Sequence, residues 1–229
     1  MRQSTPRSRK LEAVIFDMDG VLIDSHPAHR RAWQRFLQSL GKDFSLAELD
    51  FILDGRKRCE ILRHFLGELS PEQMVELGKK KDEFFQEAAL DVSLLPGVES
   101  FIDRLNRGEI SMGIATSASA SRTRSTLRQL RLEKYFSVVV TGDDVERGKP
   151  DPRMYQLACI NMKVNPSCCM AIEDAVSGVL AARAAGLKCI GVASNGKRDQ
   201  LRAAGASPVI EDFRELHTSQ LEELIRKPQ

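Results

Sequence analysis

Five short, nearly continuous apolar runs constrain this chain more than any other feature: Ala13 to Phe16, Ile110 to Ala115, Val138 to Val140, Cys168 to Ile172 and Cys189 to Val192. A strand that faces solvent on one side alternates apolar and polar residues, so continuous runs predict strands buried on both faces. From Gly97 onward the runs alternate with amphipathic helical stretches. Repeated βα units of this kind build a parallel sheet with helices on each side. The opening run from Leu11 to Phe16 belongs to the same sheet.

Residues 26–94 break the alternation. They carry helical periodicity and no convincing strand: Ala32, Trp33, Phe36, Leu37 and Leu40 form one stripe that ends at Gly41, and Ile61, Leu62, Phe65 and Leu66 form another that ends at Gly67. Ser70 and Pro71 read as the N-cap and first residue of a third helix, and Leu95-Pro96-Gly97 closes the stretch. The pattern predicts an α/β fold: a Rossmann-like parallel-sheet core over 11–25 and 95–229, with an all-helical domain inserted over 26–94. Residues 1–10 read as a flexible arm.

Composition narrows the function. Of 229 residues 42% are hydrophobic and 29% charged, and the net charge of +2 gives no basic excess of the kind that nucleic acid or an anionic membrane attracts. The basic cluster Arg2, Arg7, Arg9 and Lys10 falls in the arm, and Arg122, Arg124, Arg128 and Arg131 read as a solvated helix face. No apolar stretch approaches the roughly 20 residues that span a bilayer, and the N-terminus has no apolar signal core. Cys59, Cys159, Cys168, Cys169 and Cys189 have neither disulfide-framework nor zinc spacing. The expectation is a cytoplasmic, monomeric protein with reduced cysteines and no nucleic-acid or membrane partner.

Chemistry gathers where the runs end. Asp17 and Asp19 follow the first, Thr116 and Ser117 the second, Glu173 and Asp174 the fourth. In a parallel sheet those ends share one edge, where open α/β folds bind ligands. Acids converging there repel unless a hard cation such as Mg2+ joins them. Each group has a plainer reading: Asp17 and Asp19 as a solvated turn at Gly20, Asp174 as the N-cap of a helix from Ala175, Thr116 or Ser119 as a cap. Lys149, in Gly148-Lys149-Pro150-Asp151-Pro152, is pushed toward an extended conformation by Pro150 and so toward the crevice, with Asp151 as N-cap and Pro152 as first helical residue. A solvated loop lysine is the alternative.

Together these residues resemble the haloacid dehalogenase superfamily, in particular the sugar-phosphate phosphatases and β-phosphoglucomutases whose helical cap is inserted after the first motif. Phe16 to Ser25 (FDMDGVLIDS) resembles the first motif, Thr116 the second, Lys149 in GKPDP the third and Glu173-Asp174 in AIEDAVSG the fourth. The resemblance implies that Asp17 attacks phosphorus and forms an aspartyl-phosphate, that Asp19 is the general acid and base, and that Thr116 and Lys149 hold the phosphoryl group. It implies Mg2+ bound by Asp17, the Asp19 carbonyl and Asp174, with Glu173 direct or through water. Asp19 itself disfavours dehalogenase and phosphonatase chemistry, whose enzymes typically lack an acid there.

In the cap, the resemblance makes His29, Trp33, Gly55, Arg58 and Lys81 substrate-binding candidates, joined by Ser117 beside Thr116. Arg58 matches an arginine that grips a second phosphate, and Lys81 a lysine directed into the site. Otherwise Arg58 is a solvated loop residue, Lys81 snorkels to solvent and His29 lies on a helix surface. The chain departs from the mutases after Thr116, where Ser117-Ala118-Ser119-Ala120 replaces their lysine and asparagine and the first cation is Arg122. That departure favours a phosphatase of small phosphomonoesters over a β-phosphoglucomutase-type isomerase. A non-catalytic binding protein on the same scaffold would have lost a motif residue, and none is missing.

Overall fold

The computed structural model describes residues 10–194 and 196–227. Of the expected arm only Lys10 is among them; Arg2, Arg7 and Arg9 lie outside the described residues. Strands β1 (Ala13–Phe16), β2 (Ser111–Ala115), β3 (Val138–Val140), β4 (Cys169–Glu173), β5 (Lys188–Val192) and β6 (Val209–Ile210) form one parallel sheet in the order β3-β2-β1-β4-β5-β6. This is the Rossmann order, in which the chain winds outward from the central strand and then returns to the other side of it. Phe16, the last residue of β1, is level with Ile114 of β2 and Ile172 of β4, so the polar residues that follow these strands emerge side by side. Only β6 has no counterpart among the apolar runs, because two residues make no pattern.

The stretch 26–94 after β1 holds three α-helices among its described residues, α1 (His26–Gln38), α2 (Arg58–Leu66) and α3 (Pro71–Ala88), and a 3-10 turn over Glu48–Leu53. Gly67 ends α2 with φ +79°, a left-handed conformation that glycine adopts without penalty. Ser70 caps α3 as its sequence implies: its Oγ accepts the Gln73 N–H, and Gln73 Oε1 accepts the Ser70 N–H at 2.9 Å. Trp33, Phe36, Leu62 and Phe65 fill a hydrophobic cluster of this region's own, with the Trp33 ring 5.6 Å from Phe36 and 6.3 Å from Phe65. The two connections to the sheet pair with each other. Ile23 bridges Leu94, the Asp24 N–H donates to Ser93 O and the Leu95 N–H to Leu22 O, both at 3.0 Å.

The helices after the insertion, α4 (Val98–Arg107), α5 (Ala120–Gln129), α6 (Arg153–Met162), α7 (Val176–Ala184), α8 (Arg198–Ala203) and α9 (Thr218–Arg226), sandwich the sheet. Val14 and Phe16 face α4, α5 and α9, while Ala13 and Ile15 face α6, α7 and α8. Ala13, Ala115 and Ala171 on that second face leave room for α6 and α7 to pack closely. Phe16 meets Phe101, Phe136 and Phe213 at ring-centroid distances of 6.2, 6.0 and 6.5 Å. Removing such a ring costs about 3–5 kcal/mol, and this cluster anchors the backbone immediately before Asp17. Cys159, Cys169 and Cys189 are buried and all five cysteines are free. No helix among the described residues is long and apolar enough to cross a membrane.

Candidate active site

Asp17 is the first residue beyond β1, and its N–H continues the ladder to Ile172 O at 3.0 Å. Its side chain is almost wholly buried against Lys149, whose Nζ donates to Asp17 Oδ1 at 2.5 Å, Glu173 Oε1 at 2.6 Å and Ala115 O at 3.0 Å. Lys149 is thus not a solvated loop residue: the loop before α6 turns it under the strand ends. Helix α6 begins at Arg153, one residue later than the motif suggests, because Asp151 Oδ1 accepts the Arg153 N–H at 2.9 Å and Pro152 precedes the helix. Glu173 is fully engaged from behind, accepting Tyr155 OH at 2.6 Å on Oε1 and the Asp174 N–H at 3.2 Å on Oε2. Burial, reinforced by Glu173 and Asp174, holds the Asp17 carboxyl above the usual range even beside Lys149. Burial alone would discharge Lys149, but Asp17 and Glu173 outweigh it and keep the ammonium charged.

Asp19 is held by three side chains from different parts of the chain. Ser25 Oγ donates to Oδ1 at 2.7 Å, His29 Nε2 stands 3.1 Å from the same oxygen, and Arg122 grips both oxygens, with Nη1 at 3.0 Å from Oδ1 and Nη2 on Oδ2. Arg122 corrects the sequence expectation. Arg124, Arg128 and Arg131 are solvent-exposed as expected, but Arg122 is buried, because Ser119 as N-cap of α5 starts the helix where its first turn points into the crevice. Desolvation would raise the Asp19 carboxyl, yet Arg122 and His29 hold it well below the usual range. His29 is half-buried, and desolvation pulls it down to about 4, so its ring is neutral at pH 7.

Asp174 does not cap a helix: α7 starts at Val176 and its N-cap, Ala175, makes no side-chain cap. The carboxylate turns instead toward His26, whose Nε2 is 2.9 Å from Oδ2 but off the line of a hydrogen bond, so that this buried oxygen accepts none. Gly20 permits the approach. It sits at φ +74°, and a Cβ there would stand 2.5 Å from His26 Nε2 and closer still to Asp174 Oδ2. Among the described residues no three His, Cys, Asp or Glu side chains are grouped as metal ligands, since each carboxylate turns to a protein cation or to histidine. An unsatisfied buried carboxylate oxygen beside Asp17 and the Asp19 turn is nonetheless the hard-oxygen environment that suits Mg2+.

These groups open on one cavity, and ten of the sequence candidates line it: Asp17, Asp19, Thr116, Ser117 and Asp174 from the sheet side, His29, Trp33, Gly55, Arg58 and Lys81 from the helical side. Lys149 and Glu173 stand behind it. Thr116 is buried, its Oγ1 accepting the Ala118 N–H at 3.2 Å. Ser117 Oγ donates to Gly55 O at 2.5 Å and so ties the two sides together. Lys81 does not snorkel. It is buried, with Nζ 5.3 Å from the Trp33 ring centroid and 4.9 Å from that of Phe85; burial and the nearby Arg122 lower it to about 7. Arg58 donates through Nη1 to Asp82. Sequence reasoning passes over Phe85, which packs under His29 at 4.5 Å and Arg122 at 4.7 Å, as well as His26, Tyr155 and Asp82. Phe84 and Phe85 are neighbours in α3, and which of the two rings faces the cavity is not legible from spacing alone.

Residues 14–192 match the haloacid dehalogenase-like hydrolases, and the chain belongs to that family. It is 37% identical over 185 residues to a phosphorylated carbohydrates phosphatase of Thermotoga maritima, spanning 79% of this chain and 84% of that one. It is 30% identical over 191 residues to the β-phosphoglucomutase of Bacillus subtilis, spanning 80% and 83%. Its fold superposes with a TM-score of 0.79, at 28% identity and over 90% of this chain and 96% of the other, on CbbY of Rhodobacter sphaeroides solved in complex with xylulose-(1,5)bisphosphate.

Proposed function

We propose that the chain is a Mg2+-dependent phosphatase that hydrolyses a small phosphomonoester, a sugar phosphate, through an aspartyl-phosphate on Asp17. The observation that carries this reading is the Asp17–Lys149–Glu173 cluster at the end of the central strand, with Asp19 two residues on facing the same cavity. A carboxylate held by one ammonium has a fixed direction of attack; Thr116 offers a donor to a phosphoryl oxygen, and Lys149 offsets charge from behind Asp17. The oxygen–phosphorus bond to the sugar breaks as the Asp17–phosphorus bond forms. Asp19, ionised here against Arg122, takes up a proton from solvent once that contact is released, gives it to the leaving alkoxide, and then takes one from the water that hydrolyses the acyl phosphate. Its grip by Arg122 must loosen first, and incoming phosphoryl oxygens are the natural alternative partner for that guanidinium. Asp17, the Asp19 carbonyl and Asp174 would hold Mg2+, which when bound supplies neutralisation of phosphoryl charge.

The helical insertion acts as the cap. The cavity holds about 70 Å³, less than the roughly 300–1,000 Å³ of ordinary ligand pockets, so the helical side has to shift away from the sheet edge to admit a sugar phosphate. Opening would pivot on the paired connections at Ile23 and Leu94. The T. maritima relative, whose name makes it a phosphatase of phosphorylated carbohydrates, supports this reading, and the B. subtilis relative keeps a phosphosugar mutase as the second. A panel of phosphomonoesters with Mg2+ separates them. Steady phosphate release that Asp17→Asn abolishes is expected; conversion of β-glucose 1-phosphate to the 6-phosphate with little phosphate release, dependent on a bisphosphate primer, would establish the mutase instead.

A further inference from the structure

Asp82, on α3, faces the cavity with its side chain 19% exposed, and donors from separate elements close on it. Arg58, the first residue of α2, donates through Nη1 to Asp82 Oδ2. Ser119 Oγ, at the N-cap of α5, donates to the same oxygen at 3.0 Å, and Lys81 Nζ stands 4.0 Å from Oδ1. A guanidinium, an ammonium and a hydroxyl converging from both sides of a cavity are the donor set that recognises a doubly charged oxyanion. Here the protein supplies the anion itself.

We infer that Asp82 determines specificity: by occupying this donor set it fits the cavity to phosphomonoesters whose remainder is uncharged, such as a sugar or polyol, and turns away sugar bisphosphates. The inference rests on the reading of Asp17 as the end that takes the reacting phosphate. A second phosphate would have to strip Asp82 of Arg58 and leave its largely buried carboxylate beside an added dianion. An uncharged tail leaves the Arg58–Asp82–Ser119 link intact. That link joins the helical insertion to the helix after β2, so closure over a monoester keeps a contact that closure over a bisphosphate must break.

The test uses the full chain carrying Asp17→Asn, with Mg2+, titrated with glucose 6-phosphate and with glucose 1,6-bisphosphate by calorimetry; Trp33, the single tryptophan and a cavity residue, gives a parallel fluorescence signal. The bisphosphate is expected to bind about tenfold more weakly, and adding Asp82→Asn to strengthen its binding about tenfold while changing that of the monoester less than about threefold. Arg58→Met on top should cancel the gain, which a merely structural role for Asp82 would not do. A bisphosphate-to-monoester ratio that Asp82→Asn leaves within about threefold of the parent, including no binding of either sugar to either protein, overturns the inference. Phosphate release by the unmodified enzyme is measured separately. If it fails while the binding shift holds, the phosphatase reading falls and the Asp82 assignment stands.

Discussion

Replacing Lys149 by methionine removes a cation in contact with two buried carboxylates, and its cost follows from the geometry. The ammonium lies 2.5 Å from Asp17 and 2.6 Å from Glu173, with Glu173 about 1% exposed. At an effective dielectric near 20 each contact contributes about 6 kcal/mol of attraction, most of it offset by the ammonium's own desolvation. Breaking a buried pair by removing one partner nets about 3–5 kcal/mol. For a protein of this size that lowers Tm by about 6–20 °C while leaving a folded state, given a total stability of about 5–15 kcal/mol. The cost should depend on pH. Without Lys149 the two carboxyls, already raised by burial, rise further, so the folded state binds more protons than the unfolded one and stability falls as pH rises. Urea unfolding with chelator present should therefore show a penalty at pH 8 that shrinks by about 1–3 kcal/mol at pH 5.5, where a shared proton relieves the pair. A penalty under about 1 kcal/mol, or one equal at both pH values, would refute the reasoning.

Gly20→Ala must place a side chain at φ +74° against Asp174 and His26, and should cost about 1–3 kcal/mol in thermal unfolding together with a loss of Mg2+ affinity by calorimetry. Lys57→Met removes the donor to Val145 O at 2.6 Å and Glu146 O at 3.2 Å, which fastens the helical insertion to the loop before Lys149; KM should rise about tenfold with a smaller change in kcat. Because burial holds His29 down to about 4, its ring resonances should not shift between pH 5.5 and 8. Its contribution to stability, present above the unfolded value near 6.5, is lost as pH falls toward 4; a titration midpoint near 6.5 would contradict the assignment.

The sheet is legible because burial on both faces leaves only apolar residues, so β1, β4 and β5 announce themselves, and the charged groups stand out as the first residues that break each run. Lys149 is legible for a related reason, since Pro150 restricts the backbone before it. Arg122 is not. On an amphipathic helix whose other arginines are solvated, nothing in the spacing marks the one whose turn happens to face Asp19; that depends on where Ser119 starts the helix. Asp82 is hidden differently. A carboxylate beside Lys81 reads as helix surface until α2 is packed against α3 and Arg58 is seen to need a partner.

The pairing of Ile23 with Leu94 has a bearing on how such a molecule can vary. Chain leaves the sheet and comes back at neighbouring points, so everything between them behaves, from the standpoint of the strands, as one closed loop. The entropy of closing a loop grows only with the logarithm of its length, so lengthening or exchanging that segment burdens the strands little. The sheet-bearing part and the helical insertion are joined by two strands of backbone and can be altered on separate schedules, which makes the segment between Ile23 and Leu94 the natural unit to exchange as a single piece on this frame.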